Sequence, residues 1–268
     1  MNAMGETMAS ENHTSSVIYE QPLNERIRTF LRLEDLFTQT HTAMMGDSTW
    51  HSRVCVASIL EILNIFERGD IKTEVIKELE RHHLVFSRLL ANQQIDHQKL
   101  HSILTQLQSH TQQLQQMTHR LGHRLREIDL LVTVRQRLVI PGGTCNFDLP
   151  AYHHWLQQPA FVRQQNIATW FNEFSHIEAA VTLALELLRA TGHMQSVCAQ
   201  DGFFQLPLDP SQGCQLVRLM LPKDQLFFPE ISGGRHRISI RFLQSNTQQM
   251  RPTQLHAPVE FALSCCVV

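Results

Sequence analysis

Apolar residues recur at helical spacing through the first two thirds of the chain and at alternate positions through the last third. Residues 17–20 read as a short strand ended by Pro22, and Asn24 is placed to cap a helix carrying Ile27, Phe30, Leu31, Leu36 and Phe37 on one side. A second helix is predicted over 48–68. Cys55, Ile59, Ile62 and Phe66 form one stripe there, and Val56, Leu60 and Leu63 widen it, as a deeply packed helix requires. Gly69 is expected to close this helix in the left-handed conformation, with Asp70 capping the next. That third helix, 71–90, repeats Ile71, Val75, Leu79, Phe86 and Leu90.

The fourth predicted helix, 96–121, is different in kind. Leu100, Leu104, Leu107, Thr111, Leu114, Thr118 and Leu121 alternate by four and three, while Gln, His, Ser and Thr fill the other sides. Such a narrow seam suits one arm of an antiparallel helix hairpin. Further helices are predicted over 125–138, 153–156, 159–174 and 177–191. Pro141-Gly142-Gly143 breaks the first of these, 144–149 is a strand candidate, and Ser175 with Glu178 offers a capping box for the last. That last helix is apolar nearly all round and reads as the central buried one, stopped by Gly192.

Beyond Gly192 the period becomes two, in short runs over 194–198, 203–206, 215–221, 235–243 and 259–265. Helices followed by strands give an α+β fold, a mainly helical domain packed beside an antiparallel β-domain. The expected division is a disordered polar tail over 1–16, a helical domain over 17–192 and a β-domain over 193–268. Residues 17–21 and 144–149 are candidates to pair with the sheet.

Composition narrows the function. A hydrophobic fraction of 43% and a charged fraction of 18% belong to a globular chain. No apolar run approaches the roughly 18–20 residues of a membrane span, and residues 1–16 lack the basic and apolar regions of a secretory signal. The six cysteines then read as free thiols of a reducing compartment. A net charge of −2 argues against a dedicated nucleic-acid binder. Catalytic signatures are missing: there is no G-x-S-x-G, Walker A, Rossmann glycine fingerprint or CxxC. His97/His101 and His119/His123 have i, i+4 spacing but no evident third ligand, so neither a metal nor another cofactor is implied. Cys145 on its glycine turn reads as a connection, and the closing Cys265-Cys266-Val267-Val268 as a strand end.

One stretch stands apart. In Arg235-His236-Arg237-Ile238-Ser239-Ile240-Arg241-Phe242, a strand puts Ile238, Ile240 and Phe242 on one face and Arg235, Arg237 and Arg241 on the other. Like charges in a row on a stiff platform suit an acidic partner, because guanidinium groups bind carboxylates through a planar fork. An RNA partner for the same face would want aromatic stacking positions beside the arginines, and Phe242 points away from them.

Four segments are shared with a known family. They are Gln21-Pro22-Leu23-Asn24-Glu25-Arg26-Ile27-Arg28, and Phe66-Glu67-Arg68-Gly69-Asp70 leading to Lys77-Glu78-Leu79. The others are Val134-Arg135-Gln136-Arg137-Leu138 through Pro141-Gly142-Gly143 to Phe147-Asp148-Leu149-Pro150, and Ile231-Ser232-Gly233 through Arg241-Phe242. Their order, their spacing and the terminal Cys265-Cys266 resemble the ZapD family of bacterial cell-division factors, over 17–266. The resemblance implies a cytoplasmic homodimer at the mid-cell division ring that binds the C-terminal tail of FtsZ and crosslinks its filaments, without catalysis, cofactor, nucleic acid or membrane insertion. It implies Arg68, Arg237 and Arg241 as tail-binding residues, with Arg28 and His153 at further matching positions. Asp129 stands where the family pattern leads one to expect a basic residue.

Overall fold

A computed structural model describes residues 16–92, 94–209, 211, 213–234, 236–244 and 251–267. Arg235 and the polar tail up to residue 15 lie outside the described residues. The chain divides into two compact units, Met1–Arg28 with Leu187–Val268, and Thr29–Glu186. The class is α+β.

The first unit is a sandwich of two antiparallel sheets. One sheet has the order β1 (Ser16–Pro22), β4 (Cys214–Pro222), β8 (Val259–Val267), β2 (Gln195–Ala199). The other has β3 (Phe203–Pro207), β6 (Arg237–Gln244) and β5 (Phe227–Gly233), with β7 (Thr253–Gln254) also paired to β6. Alternation does what the pattern predicts: Val217, Leu219, Leu221, Phe261 and Leu263 from one sheet meet Ile238, Ile240 and Phe242 from the other. Each of these side chains, removed from water, contributes on the order of 1.5–3 kcal/mol. β5 is a strand that periodicity misses. Pro229 interrupts its pattern, and a proline that cannot donate to the ladder is tolerated because β5 is an edge.

Two close approaches tie this unit together. Asn24 caps α1 (Glu25–Met44) by accepting from the Ile27 amide at 2.9 Å, and Leu23 lies so near Gly233 that a Cβ there would fall 2.4 Å from Leu23 Cδ2. Thus the first and last shared sequence segments are neighbours. Likewise a Cβ on Gly192 would meet Ser264 Oγ at 2.2 Å, so glycine is needed where the chain leaves α8 (Ser175–Ala190) and passes β8. The last turn of α8 therefore belongs to this unit.

Glu20 on β1 lies opposite Arg218 on β4 and accepts from its Nε at 2.9 Å, and from Arg189 Nη2 at 2.7 Å. Burial pushes the Glu20 pKa up, but the two guanidinium groups outweigh it and hold it below its ordinary 4.5. A carboxylate depressed on folding stabilises the fold above its unfolded pKa, and that stability is lost as the pH falls through the folded value. Urea unfolding from pH 6 to pH 3 should show this loss. Glu20→Gln should flatten it and cost about 1–3 kcal/mol at neutral pH; an unchanged pH profile would contradict the assignment.

The second unit is helical. Within it lie α2 (Thr49–Arg68), α3 (Ile71–Arg88), α4 (His97–Gln116), α5 (Asp129–Leu138), α6 (Pro150–Leu156) and α7 (Ala160–Phe171), with most of α1 and α8. Its core holds Phe30, Leu33 and Phe37 of α1, the wide stripe of α2, and Ile177, Ala180, Val181 and Ala184 of α8. An aromatic cluster joins Phe37, Phe171, Phe174 and Phe66 edge to face, with centroids 5.6–6.1 Å apart. α3 and α4 form the expected hairpin, and the buried α4 residues are Leu100, Leu104, Leu107 and Leu114.

Several local expectations are corrected. Gly69 is extended (φ −167°, ψ 167°), not left-handed, although Asp70 does cap α3 by accepting from the Thr73 amide. Helix α4 ends at Gln116 because Met117 turns extended, and Lys72 Nζ donates to its carbonyl at 2.7 Å. Ser175 is already helical, continuing a 3-10 turn over Asn172–Phe174, so it caps nothing. Residues 144–149 form turns rather than a strand; Gly142 sits at φ +71° and the Cys145 amide donates back to its carbonyl.

Candidate partner-binding surface

Strand β6 builds the surface from its own alternation. Ile238, Ile240 and Phe242 are fully buried, so Arg237 and Arg241 must point outward, and both are exposed. Their Cα atoms are four residues apart, about 13 Å along a strand. Among the described residues neither arginine makes an ion pair. The register places exposed Phe203 of β3 and exposed Glu230 of β5 directly opposite Arg241, and Pro207 opposite Arg237. Sequence reading misses this aromatic neighbour, because strand pairing cannot be read from spacing alone. One aromatic ring beside one arginine still falls short of the stacked platform of a single-strand RNA binder.

Arg28 belongs to the same unit, in the first turn of α1, and is ion-paired with Glu25 three residues before it. Arg68 and His153 belong to the helical unit. The Phe66-Glu67-Arg68-Gly69 motif resolves into separate tasks. Phe66 anchors the end of α2 on Phe174, with ring centroids 5.6 Å apart. Glu67 accepts from Arg135 Nη1 at 2.7 Å and Arg126 Nε at 3.3 Å; these hydrogen bonds, Arg135 foremost, hold its carboxyl below the ordinary range. Arg68 is left exposed, and among the described residues it makes no ion pair. Glu67 thus occupies the two nearby guanidinium groups and fixes the helix end that displays a third. A groove of about 810 Å³ opens beside it, lined by Phe66, Glu67, Lys72, His119 and Arg120 among others.

His153 is exposed on α6, next to buried Tyr152, whose ring carries the Arg53 guanidinium at 5.2 Å. Arg53 stands fifteen residues before Arg68 on α2, about 22 Å away by helical rise, so Tyr152 and its neighbour His153 lie beside the other end of that helix from Arg68. About seven residues of extended peptide span such a distance. Asp129 opens α5, where a carboxylate is favoured by the helix dipole.

No group of three metal-ligating side chains gathers among the described residues. His119 and His123 stack at 5.4 Å, and His123 faces Glu127 at 3.5 Å. No described helix is long and apolar enough to cross a membrane.

Comparison with known proteins gives one family. The family model described as "ZapD: Cell division protein" matches residues 31–241. A cell division protein ZapD of Methylococcus capsulatus is 38% identical over 254 residues, covering 95% of this chain and 99% of that protein. That of Pectobacterium atrosepticum is 37% identical, covering 94% of this chain and 98% of that protein, and that of Coxiella burnetii is 35% identical, again over 94% and 98%. On this identity and coverage, the chain belongs to the ZapD family of cell division proteins.

Proposed function

We propose that this chain is a non-enzymatic division factor of the cytoplasm that grips the C-terminal tail of FtsZ and, as a homodimer, crosslinks FtsZ filaments at the mid-cell ring. The observation that carries the reading is the pair of exposed arginines on β6 that make no ion pair among the described residues. Two arginines whose Cα atoms lie about 13 Å apart on one strand fit an extended acidic peptide whose carboxylates recur every four residues. Phe203 beside Arg241 offers an apolar contact to the same peptide. The proposal assigns Arg28, Arg68, His153 and Arg235 to the same partner.

Crosslinking needs two copies, because two sites on one body turn weak tail binding into bundling through effective concentration. Support for a dimer comes from one end of the helical unit. Arg53 Nη1 donates to Thr144 Oγ1 at 3.1 Å, Gln164 Nε2 donates to the Gly46 carbonyl at 3.1 Å, and Arg163 Nη2 donates to the Asp47 carbonyl. These bonds draw together segments that expose Trp50 (73%), Phe147 (81%) and Phe161 (68%). Large apolar side chains exposed on segments that are bonded to one another suit an association surface, and a two-fold dimer buries the same surface on both copies.

Trp50→Glu tests this. Light scattering at micromolar concentration should give a dimer mass for the wild type and a monomer mass for the variant. The variant should keep tail-peptide affinity and lose bundling of FtsZ filaments. A wild-type monomer, or bundling that survives in a monomeric variant, would overturn the crosslinking reading.

A further inference from the structure

Strand β3 is the end of its sheet. It pairs with β6, and among the described residues no strand pairs with its other edge. Two bonds show which of its groups look outward. The Leu208 amide donates to the His236 carbonyl and the Phe242 amide to the Gly202 carbonyl, both at 2.8 Å. Backbone direction alternates along a strand, so Phe204 and Leu206 also turn their amides and carbonyls to β6. Gln205 turns both of its groups to the free edge, with the carbonyls of Phe203 and Pro207 on either side. The Phe203 amide is already taken by the Gln200 carbonyl at 2.9 Å, and Pro207 has none to give. One donor flanked by acceptors is a pattern that an extended chain completes.

The two faces beside this edge differ. On one, Phe203 lies opposite Arg241 and Pro207 opposite Arg237. On the other, Phe204 and Leu206 are only partly buried against the core, and with Val197 of β2 and Leu263 of β8 they line an open slot of about 260 Å³. The sandwich is open here because β2 and β3, bridged at Gln200 and Phe203, run on into different sheets.

We propose that the acidic peptide binds by adding itself to the free edge of β3 as a further strand. The inference rests on the tail-binding reading and specifies the peptide that the site takes. A strand added there lies about 9.6 Å from β6, two strand spacings away. An arginine and a glutamate side chain close that gap between them. Side chains of the added strand alternate between the two faces. Carboxylates four residues apart then meet Arg237 and Arg241 across β3, and the residue midway between them lies beside Gln205. The two residues of opposite parity point into the slot, and they are apolar, because its walls include Phe204, Leu206, Val197 and Leu263. Other strand edges fit such a peptide less well. β5 contains Pro229 and carries Glu230, a like charge, and β2 pairs with β8, which sets Glu260 rather than an arginine opposite Cys198.

The probe is a synthetic FtsZ C-terminal tail peptide, labelled for anisotropy and bound to the full chain. Methylating its backbone nitrogens one at a time should weaken binding on the order of tenfold at every second residue of the bound stretch, and by less than about twofold at the residues between. On the protein, Gln205→Pro removes the outward donor and no bond to β6, so affinity should fall on the order of tenfold with Tm nearly unchanged. Methylation effects without a two-residue alternation, in a peptide whose binding is still lost on Arg241→Glu, would overturn strand addition and leave tail recognition standing. So would unchanged affinity in a folded Gln205→Pro chain. A wild-type chain that binds no tail peptide would overturn both. The methylation scan on the wild type decides the matter even if Gln205→Pro fails to fold.

Discussion

Reversing the charge of Arg237 or Arg241 to Glu should lower affinity for an FtsZ tail peptide by at least tenfold to a hundredfold, with the melting temperature nearly unchanged. A charge-assisted hydrogen bond contributes roughly 1.5–3 kcal/mol, and reversal adds repulsion to that loss. Both side chains point away from the core, while the buried Ile238, Ile240 and Phe242 that hold the strand are untouched. Exposed substitutions of this kind usually move stability by less than about 0.5 kcal/mol. The spacing of about 13 Å between the two arginines exceeds the Debye length of about 10 Å at 0.1 M salt. Each guanidinium should then act on its own carboxylate, so the two losses should add, and wild-type binding should weaken steeply with salt. Peptide anisotropy measures all of this. Unchanged affinity in Arg237→Glu and Arg241→Glu would remove β6 from the site.

Replacing Arg163 should do to stability what the β6 changes do to binding. The residue is 5% exposed, and among the described residues none of its hydrogen-bond acceptors is a carboxylate. Nε donates to Ser52 Oγ at 3.0 Å, Nη1 to the carbonyls of Leu156 and Gln158 at 3.0 and 2.8 Å, and Nη2 to the carbonyl of Asp47. Two of these acceptors lie at the C-terminal end of α6, where the helix dipole favours a cation. The other two belong to the entrance of α2. One side chain thus joins α7, α6 and α2 by satisfying carbonyls that burial would otherwise strand. Arg163→Ala leaves them unsatisfied at about 1–3 kcal/mol each, and a total near 3–5 kcal/mol is expected. For a unit of this size that is a fall of about 10 °C in Tm. Arg163→Lys should recover only part of it, because an ammonium lacks the planar fork. A loss below about 1 kcal/mol in urea unfolding would show that solvent replaces these bonds.

What the sequence made legible was whatever depends on periodicity. The wide stripe of α2, the seam of α4, the buried α8 and the alternation of β6 all follow from spacings of 3.6 or 2, and the exposed Arg237 and Arg241 follow from the last of them. What stayed hidden depends on which distant residues meet. Arg163 sits in an ordinary amphipathic helix, and nothing in its spacing tells that its guanidinium meets the Ser52 hydroxyl and the carbonyls of Asp47, Leu156 and Gln158. Phe203 and Glu230 flank Arg241 only because β3 and β5 pair with β6, and β5 was obscured by Pro229. The shared segments were legible as words but not as contacts. Glu67 of one binds Arg135 of another, Arg137 faces Asp148 at 3.9 Å, and Leu23 packs beside Gly233. Much of the family pattern is therefore scaffold, and within Phe66-Glu67-Arg68 only the last residue is left free to meet a partner.

Co-sedimentation of this chain with polymerised FtsZ, full-length against a form lacking its C-terminal tail, tests the proposed function most directly. The wild type should pellet with full-length filaments and draw them into bundles, and should stay in the supernatant with tail-less filaments. Arg237→Glu should stay in the supernatant with both. Equal pelleting of the wild type with full-length and tail-less filaments would contradict tail recognition.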